Sequence, residues 1–292
     1  MENTNAWQSA KTWPYTRHKS FEASLRKAAE QWFRERGCNI DPKRRYCLAR
    51  HDLWPQNIIC QDVMKYVPQD SLHKSVHNGL SSQAMVFNLI GPLVARDNNL
   101  TPLKIAIEKL GIPWPDGDVK VVFEYNDRSV FNEDSHQPTS IDIFLLGTHN
   151  NIFIEAKLKE PEFGGCSIFS AGDCEGKNPY PDRLGECYLH HIGRTYWQRL
   201  DEFGFSEAAI VKGAICPFAS YYQFFRMAIF ALANQGTFIL LHDERNPAFL
   251  RSAADGKEYG GLWPFLYEAV PQNLRHRIGR LTIQMVVEAI QV

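Results

Sequence analysis

Asp142, Glu155 and Lys157 interrupt two apolar runs that end at Gly147 and begin at Ile152, joined by a polar tetrapeptide. Charges in strands that otherwise look buried are costly unless they pair or bind a metal. Side chains alternate along a strand, so Phe153, Glu155 and Lys157 share a face. If Thr148 to Asn151 form a four-residue turn, Asp142 falls opposite Lys157 and Glu155 lies diagonal to Asp142, roughly 5–8 Å away. A slip of one residue would move Asp142 to the other face and remove the group. Two carboxylates and an ammonium on one patch suit metal-dependent phosphodiester cleavage. Asp142 and Glu155 would hold Mg²⁺, with Mn²⁺ as a substitute. The metal polarises the phosphate and activates a bound water, while Lys157 orients that water or steadies developing charge. Glu124, in the preceding strand, offers a third carboxylate to the metal. A lone Glu-x-Lys is ordinarily a solvated strand face; the hairpin spacing, the apolar flanks and Asp142 set this one apart.

The elements that must position these residues are legible nearby. Ser81-Ser82 caps a helix through Ala84, Val86, Phe87, Leu89 and Ile90 toward Pro92. A second helix takes Thr101 as N-cap and Pro102 as first residue, and stops before Gly111. Val119 to Tyr125 is β-branched and aromatic, hence a strand, and the 140–158 hairpin follows. Ser220 opens an apolar helix through Phe224, Phe225, Ala228 and Leu232, and Gly236 leads into a strand over Thr237 to His242. Gln83, on the first helix, reads as a surface amide, with a reach toward the site as the alternative.

Asp142 followed by Glu155-Ala156-Lys157 resembles the signature of the PD-(D/E)XK nuclease superfamily. Ser140-Ile141 stands where that name has Pro, and Pro138 lies slightly upstream. The resemblance implies that Asp142 and Glu155 are metal ligands, that Lys157 is the catalytic lysine, and that the product carries a 5′-phosphate. It also implies that a polar residue on the helix after the hairpin supports the site, for which Gln223 is the candidate. Over most of its length the chain is similar to a bacterial family of restriction endonucleases, including the Ser-Ser-Gln-Ala-Met-Val-Phe-Asn88 segment. The implied fold is α/β, a restriction-endonuclease-like core with a mixed central sheet flanked by helices, plus an N-terminal helical region. Restriction or defence is the implied role, and DNA the implied partner. A homodimer is expected where both strands must be cut.

Composition sets limits. A chain of 292 residues, 44% apolar, can bury a full core. No leader and no clean apolar span is seen, so a cytoplasmic protein without membrane contact is expected. The net charge of −1 counts against a non-specific DNA coat protein but not against a nuclease with a local basic stripe. Lys43, Arg44, Arg45 and Arg50 could form that stripe, although a solvated loop is the commoner outcome.

The expected organisation is an N-terminal helical region, 1–77, packed on a nuclease domain, 78–292, with an insertion at 159–215. A helix from Ser20 to Gly37 opens the first region, its apolar stripe including Phe21, Leu25, Trp32 and Phe33. The insertion region brings Cys166, Cys174, Cys187 and Cys216, separated by seven, twelve and twenty-eight residues. These spacings lie outside the usual zinc patterns, so ordinary reduced thiols are the expectation and a structural zinc or iron–sulfur cluster the alternative. Tyr196 and Trp197 read as packing, with stacking on a nucleotide as the alternative. Two other classes of function stay open: a non-catalytic nucleic-acid-binding protein, and a regulatory module organised by cysteine-bound metal.

Overall fold

A computed structural model describes residues 15–133, 138–249, 252–254, 257–259 and 261–291. The helices before the sheet are α1 (Tyr15–Glu35), α2 (Ser82–Leu89), α3 (Gly91–Ala95) and α4 (Thr101–Glu108). Next come β1 (Lys120–Asp127), β2 (Thr139–Leu146) and β3 (Ile152–Lys157). Four short helices follow, α5 (Ser167–Ala171), α6 (Tyr188–His191), α7 (Tyr196–Glu202) and α8 (Ala209–Lys212), and lead to α9 (Pro217–Ala233). After β4 (Thr237–His242), a small hairpin of β5 (Ser252–Ala254) and β6 (Lys257–Tyr259) precedes α10 (Leu262–Glu268). The end of the fold is β7 (Ile278–Thr282) and α11 (Ile283–Gln291).

The central sheet has the order β1-β2-β3-β4-β7. β1, β2 and β3 form an antiparallel meander, while β4 and β7 add parallel to β3. The sheet is therefore mixed, as expected. Every residue of β3 and β4 is buried, which parallel strands covered on both faces require. One face sets Ile143, Leu145, Ile154 and Leu241 in a core with Phe87 of α2, Leu103 of α4 and Val286 of α11. The other sets Phe144, Phe153 and Phe238 against Phe224, Phe225 and Phe230 of α9. Phe144 and Phe153 stack at 4.5 Å across the β2–β3 pair, and Phe230 meets Phe153 edge-on at 5.4 Å. Each fully buried aromatic ring of this kind is worth about 1.5–3 kcal/mol.

The capping signals were right for α2 and one residue off for α4. Ser81 caps α2, its hydroxyl accepting the Ala84 amide at 3.3 Å. At α4 the cap is Leu100, and Thr101 is already helical. α9 begins at Pro217 rather than Ser220, because Pro suits the first helical turn and Cys216 takes the cap position. Its backbone breaks at Tyr221, φ −131° and ψ 31°. There the amides of Tyr222 and Gln223 turn to the carbonyls of Gly164 and Phe163, at 3.0 and 3.1 Å.

The hairpin register differs from the expected one by two residues. Ile143 pairs with Ile154 and Phe144 with Phe153; the same register carried one residue past the last pair aligns Asp142 with Glu155 instead of Lys157. The turn is longer than four residues because its first part is claimed elsewhere. The Gly147 amide donates to Asn151 Oδ1, the Thr148 amide to Asp116 O, and the Asp116 amide to His149 O. Only glycine fits at 147, since a Cβ there would lie 2.5 Å from Asp116 O. A shift of two preserves the face, so the carboxylates still meet.

The N-terminal region packs on this framework. Phe33 is fully buried, Trp54, Ile58 and Val63 join the core that holds Ile143 and Ile154, and α1 contacts the turn at Pro247–Phe249. Ala28 is exposed, outside the buried stripe of α1. The basic residues at 44, 45 and 50 form exposed ion pairs with Asp41, Glu30 and Asp52, the solvated outcome. Among the described residues no helix is long and apolar enough to cross a membrane.

Candidate active site

Asp142, Glu155 and Lys157 gather just past the last β2–β3 pair, where Lys157 meets α9, and each is at most 8% exposed. Lys157 Nζ donates to Glu155 Oε1 at 2.6 Å and to Gln223 Oε1 at 2.8 Å. Gln223 is two residues beyond the break in α9, so the Phe163-Gly164 segment that fills the break also sets Lys157's amide partner. Asp142 Oδ2 accepts the Ala156 amide at 2.7 Å, taking a backbone donor that a regular ladder would give to a carbonyl. That bond fixes the carboxylate against β3.

Glu124 completes the group in an unusual way. It lies in β1 between Phe123, which pairs with Ile143, and Tyr125, which pairs with Ile141, and its φ is +52°. A left-handed residue other than glycine within a strand costs about 1–3 kcal/mol and persists where surrounding contacts enforce it. The turn swings Tyr125 onto Phe144, ring centroids 4.7 Å apart. It leaves the Glu124 carboxylate accepting from Gln83 Nε2 at 2.7 Å and from Ser140 Oγ at 3.4 Å. Gln83 is not the surface amide expected: it is fully buried, bound also to Ser71 O and the His73 amide. Its reach depended on α2 packing beside β1, which spacing along one helix does not reveal.

The electrostatics are those of crowded carboxylates. Burial lifts Asp142 well above the ordinary range, and the charges of Glu155 and Glu124 push it the same way. Burial also pushes Glu124 up to about 7, against the pull of its Gln83 hydrogen bond. Lys157 is opposed by burial, but the charges of Glu155, Glu160 and Asp142 more than offset this and raise its pKa. Asp142, Glu155 and Glu124 thus face one buried ammonium, leaving an excess of negative charge that a cation would relieve. Among the described residues no three His, Cys, Asp or Glu side chains stand grouped as a ready metal site. Mg²⁺ asks for less, one or two carboxylates with waters retained, and Asp142 with Glu155 fits that donor set.

A pH dependence follows from Glu124. Its folded pKa lies above its unfolded value, so between the usual 4.5 and about 7 the folded state binds the extra proton. Stability of the metal-free protein should therefore fall as pH rises through that window, by on the order of 3 kcal/mol. Urea melts in EDTA across the window should show the decline, and Glu124→Gln should make it shallower, leaving the part that Asp142 contributes. A wild-type profile no steeper than the variant's would remove the argument.

A second buried network adjoins the first and was not anticipated. Glu133, 2% exposed, accepts the Thr139 amide at 2.6 Å, Thr139 Oγ1 at 2.9 Å, Arg226 at 2.7 Å, and the Tyr196 hydroxyl. Arg226 Nε also donates to Thr139 Oγ1 at 2.8 Å. Thr139 opens β2 three residues before Asp142, and Arg226 follows Gln223 by one turn of α9. The pair therefore holds α9 against β2 beside the site. Tyr196 and Trp197 are buried at 3% and 2%, with Trp197 edge-on to Phe218 at 4.9 Å, so both pack in place and neither ring is open to a base.

The sequence profile of a family described as restriction endonuclease associating with ARP (REase-ARP) matches residues 26–292. The chain belongs to this family. No curated protein and no solved structure matches it. The REase-ARP match spans all five strands of the sheet, the insertion, and every residue of the carboxylate site. The family assigns the chain to the restriction-endonuclease class, for which DNA is the substrate.

Proposed function

We propose that this REase-ARP protein is a metal-dependent DNA endonuclease of the PD-(D/E)XK type, acting in restriction or defence. One observation carries the reading: the buried Asp142 carboxylate accepts the amide of Ala156, which lies between Glu155 and Lys157, and Lys157 stands 2.6 Å from Glu155. Asp142 and Glu155 are the metal ligands, with Glu124 as a third carboxylate. Bound there, Mg²⁺ or Mn²⁺ would polarise the scissile phosphate and lower the pKa of a bound water. Lys157 holds its ammonium where charge develops on the phosphate or the attacking water, and Gln223 keeps it aimed. Ala156, through its amide, prevents the Asp142 carboxylate from rotating away. The product is a 5′-phosphate end. Because each chain carries one such site, cutting both strands calls for two copies acting together.

The deciding experiment is cleavage of supercoiled plasmid with Mg²⁺, Mn²⁺ or EDTA, comparing the wild type with Lys157→Ala. Metal-dependent nicking or linearisation is expected, reduced about 10²–10³-fold in the variant, the scale of losing one group that stabilises transition-state charge. Equal cleavage by both proteins, or cleavage undiminished in EDTA, would overturn the reading.

A further inference from the structure

Away from the carboxylates, one place gathers reactive side chains that the nuclease reading does not use. Cys166, Cys174, Cys187 and Cys216 line a single cavity of about 260 Å³ between the insertion and the start of α9. Seven, twelve and twenty-eight residues separate them along the chain, so folding alone brings them together. Backbone bonds fasten the convergence: the Cys166 amide donates to Phe218 O at 2.9 Å and the Cys216 amide to Gly176 O at 2.8 Å. An isolated bridge between Lys177 and Ile215 extends the second join.

Two of the sulfurs also accept N–H groups. The Gly176 amide donates to Cys174 Sγ and the Trp197 indole N–H to Cys187 Sγ, both at 3.4 Å. Gly176 is left-handed, φ +71°, which lets its amide turn back onto the sulfur two residues before it. Cys166 and Cys216 occupy the cap positions of α5 and α9. The first-turn amides of Ile168 and Phe169 act on the former and those of Phe218 and Ala219 on the latter, without closing a cap hydrogen bond. A buried free cysteine behaves as a small hydrophobe and needs no such donors. Thiolates bound to a metal do, because outer N–H groups spread their charge and fix their direction.

We propose that Cys166, Cys174, Cys187 and Cys216 form a four-thiolate site for a thiophilic metal, held as a single Zn²⁺ or as an iron–sulfur cluster. The four cysteines line the cavity, and among the described residues no three ligating side chains close on one point. The bound metal would draw them in across the space the cavity provides. Its role is structural: it staples the insertion to the end of α9 that leads to Gln223.

The test does not depend on nuclease activity. Protein purified under reducing, anaerobic conditions without chelator is assayed for zinc, iron and acid-labile sulfide. About one zinc per chain in a colourless protein, or iron with sulfide in a coloured one, is expected and tells the two forms apart. Bound metal should fall at least about 10-fold in Cys187→Ser and Cys216→Ser, and persist in Cys38→Ser and Cys60→Ser. A second readout keeps the wild-type fold: the half-buried Cys174 and Cys187 should resist a thiol reagent until a chelator strips the metal, while the equally half-buried Cys38 and Cys60 react without it. A wild type that carries no metal and takes up none from Zn²⁺ alone or from ferrous iron with sulfide would overturn the proposal. So would metal retained in Cys187→Ser.

Discussion

Asp142→Asn is expected to lose plasmid cleavage by about 10²–10³-fold or more and, in EDTA, to be more stable than the wild type. Both effects come from one atom exchange. Asn is isosteric, and its amide oxygen can still accept the Ala156 amide that Asp142 Oδ2 accepts at 2.7 Å, so the strand pairing survives. What disappears is a carboxylate that burial and the charges of Glu155 and Glu124 drive toward its protonated form. Removing a buried like-charge conflict should raise stability near neutral pH. The same removal takes away a metal ligand, so Mg²⁺ should raise the melting temperature of the wild type and leave the variant unmoved. Thermal and urea melts with and without Mg²⁺, beside the cleavage assay, read all of this. An Asn variant that is less stable in EDTA, or that cleaves at the wild-type rate, would show that the carboxylates are structural.

The second large effect is expected at Arg226. Arg226→Met should destabilise the fold by about 3–5 kcal/mol, because it strips the cation from a carboxylate that stays buried. Glu133 would keep the Thr139 and Tyr196 donors but lose its ion pair with Arg226, at 2.7 Å. The methionine fills most of the volume, so the loss measures charge rather than a cavity. Adding Glu133→Gln to Arg226→Met should recover a substantial part of the stability, since the orphaned charge is then gone. Urea unfolding of the wild type, both single variants and the double variant gives the coupling directly. A single variant within about 0.5 kcal/mol of wild type would mean that Glu133 is neutral or that water replaces the guanidinium.

Much of this arrangement could be foreseen because it rests on local rules. Parity along two strands put Asp142 and Glu155 on one face, and parity survives a register shift of two. Gly236 before Thr237–His242 and Ser81 before α2 mark their elements by backbone chemistry that acts within a few residues. What was missed is non-local. The register depended on Asp116 claiming Thr148 and His149 from thirty residues upstream. Gln83 depended on which helix lies beside β1, and Arg226 on a partner ninety-three residues away. β7 escaped notice because Gly279 and Arg280 break its apolar pattern: Arg280 instead donates to Phe249 O, and Gly279 leaves room for Ile112. Convergence of the four cysteines was equally invisible in their spacings.

The break in α9 makes the insertion and the carboxylate site parts of one lever. Gly164 and Phe163 grip the helix at Tyr222 and Gln223, just past the break, and Cys216 caps it seven residues before Gln223. Any ligand, oxidation or partner that shifts the thiol end therefore acts on this bonded break, and through it on the amide that meets Lys157. On the proposed reading, cutting could be throttled from this place without touching the residues that cut.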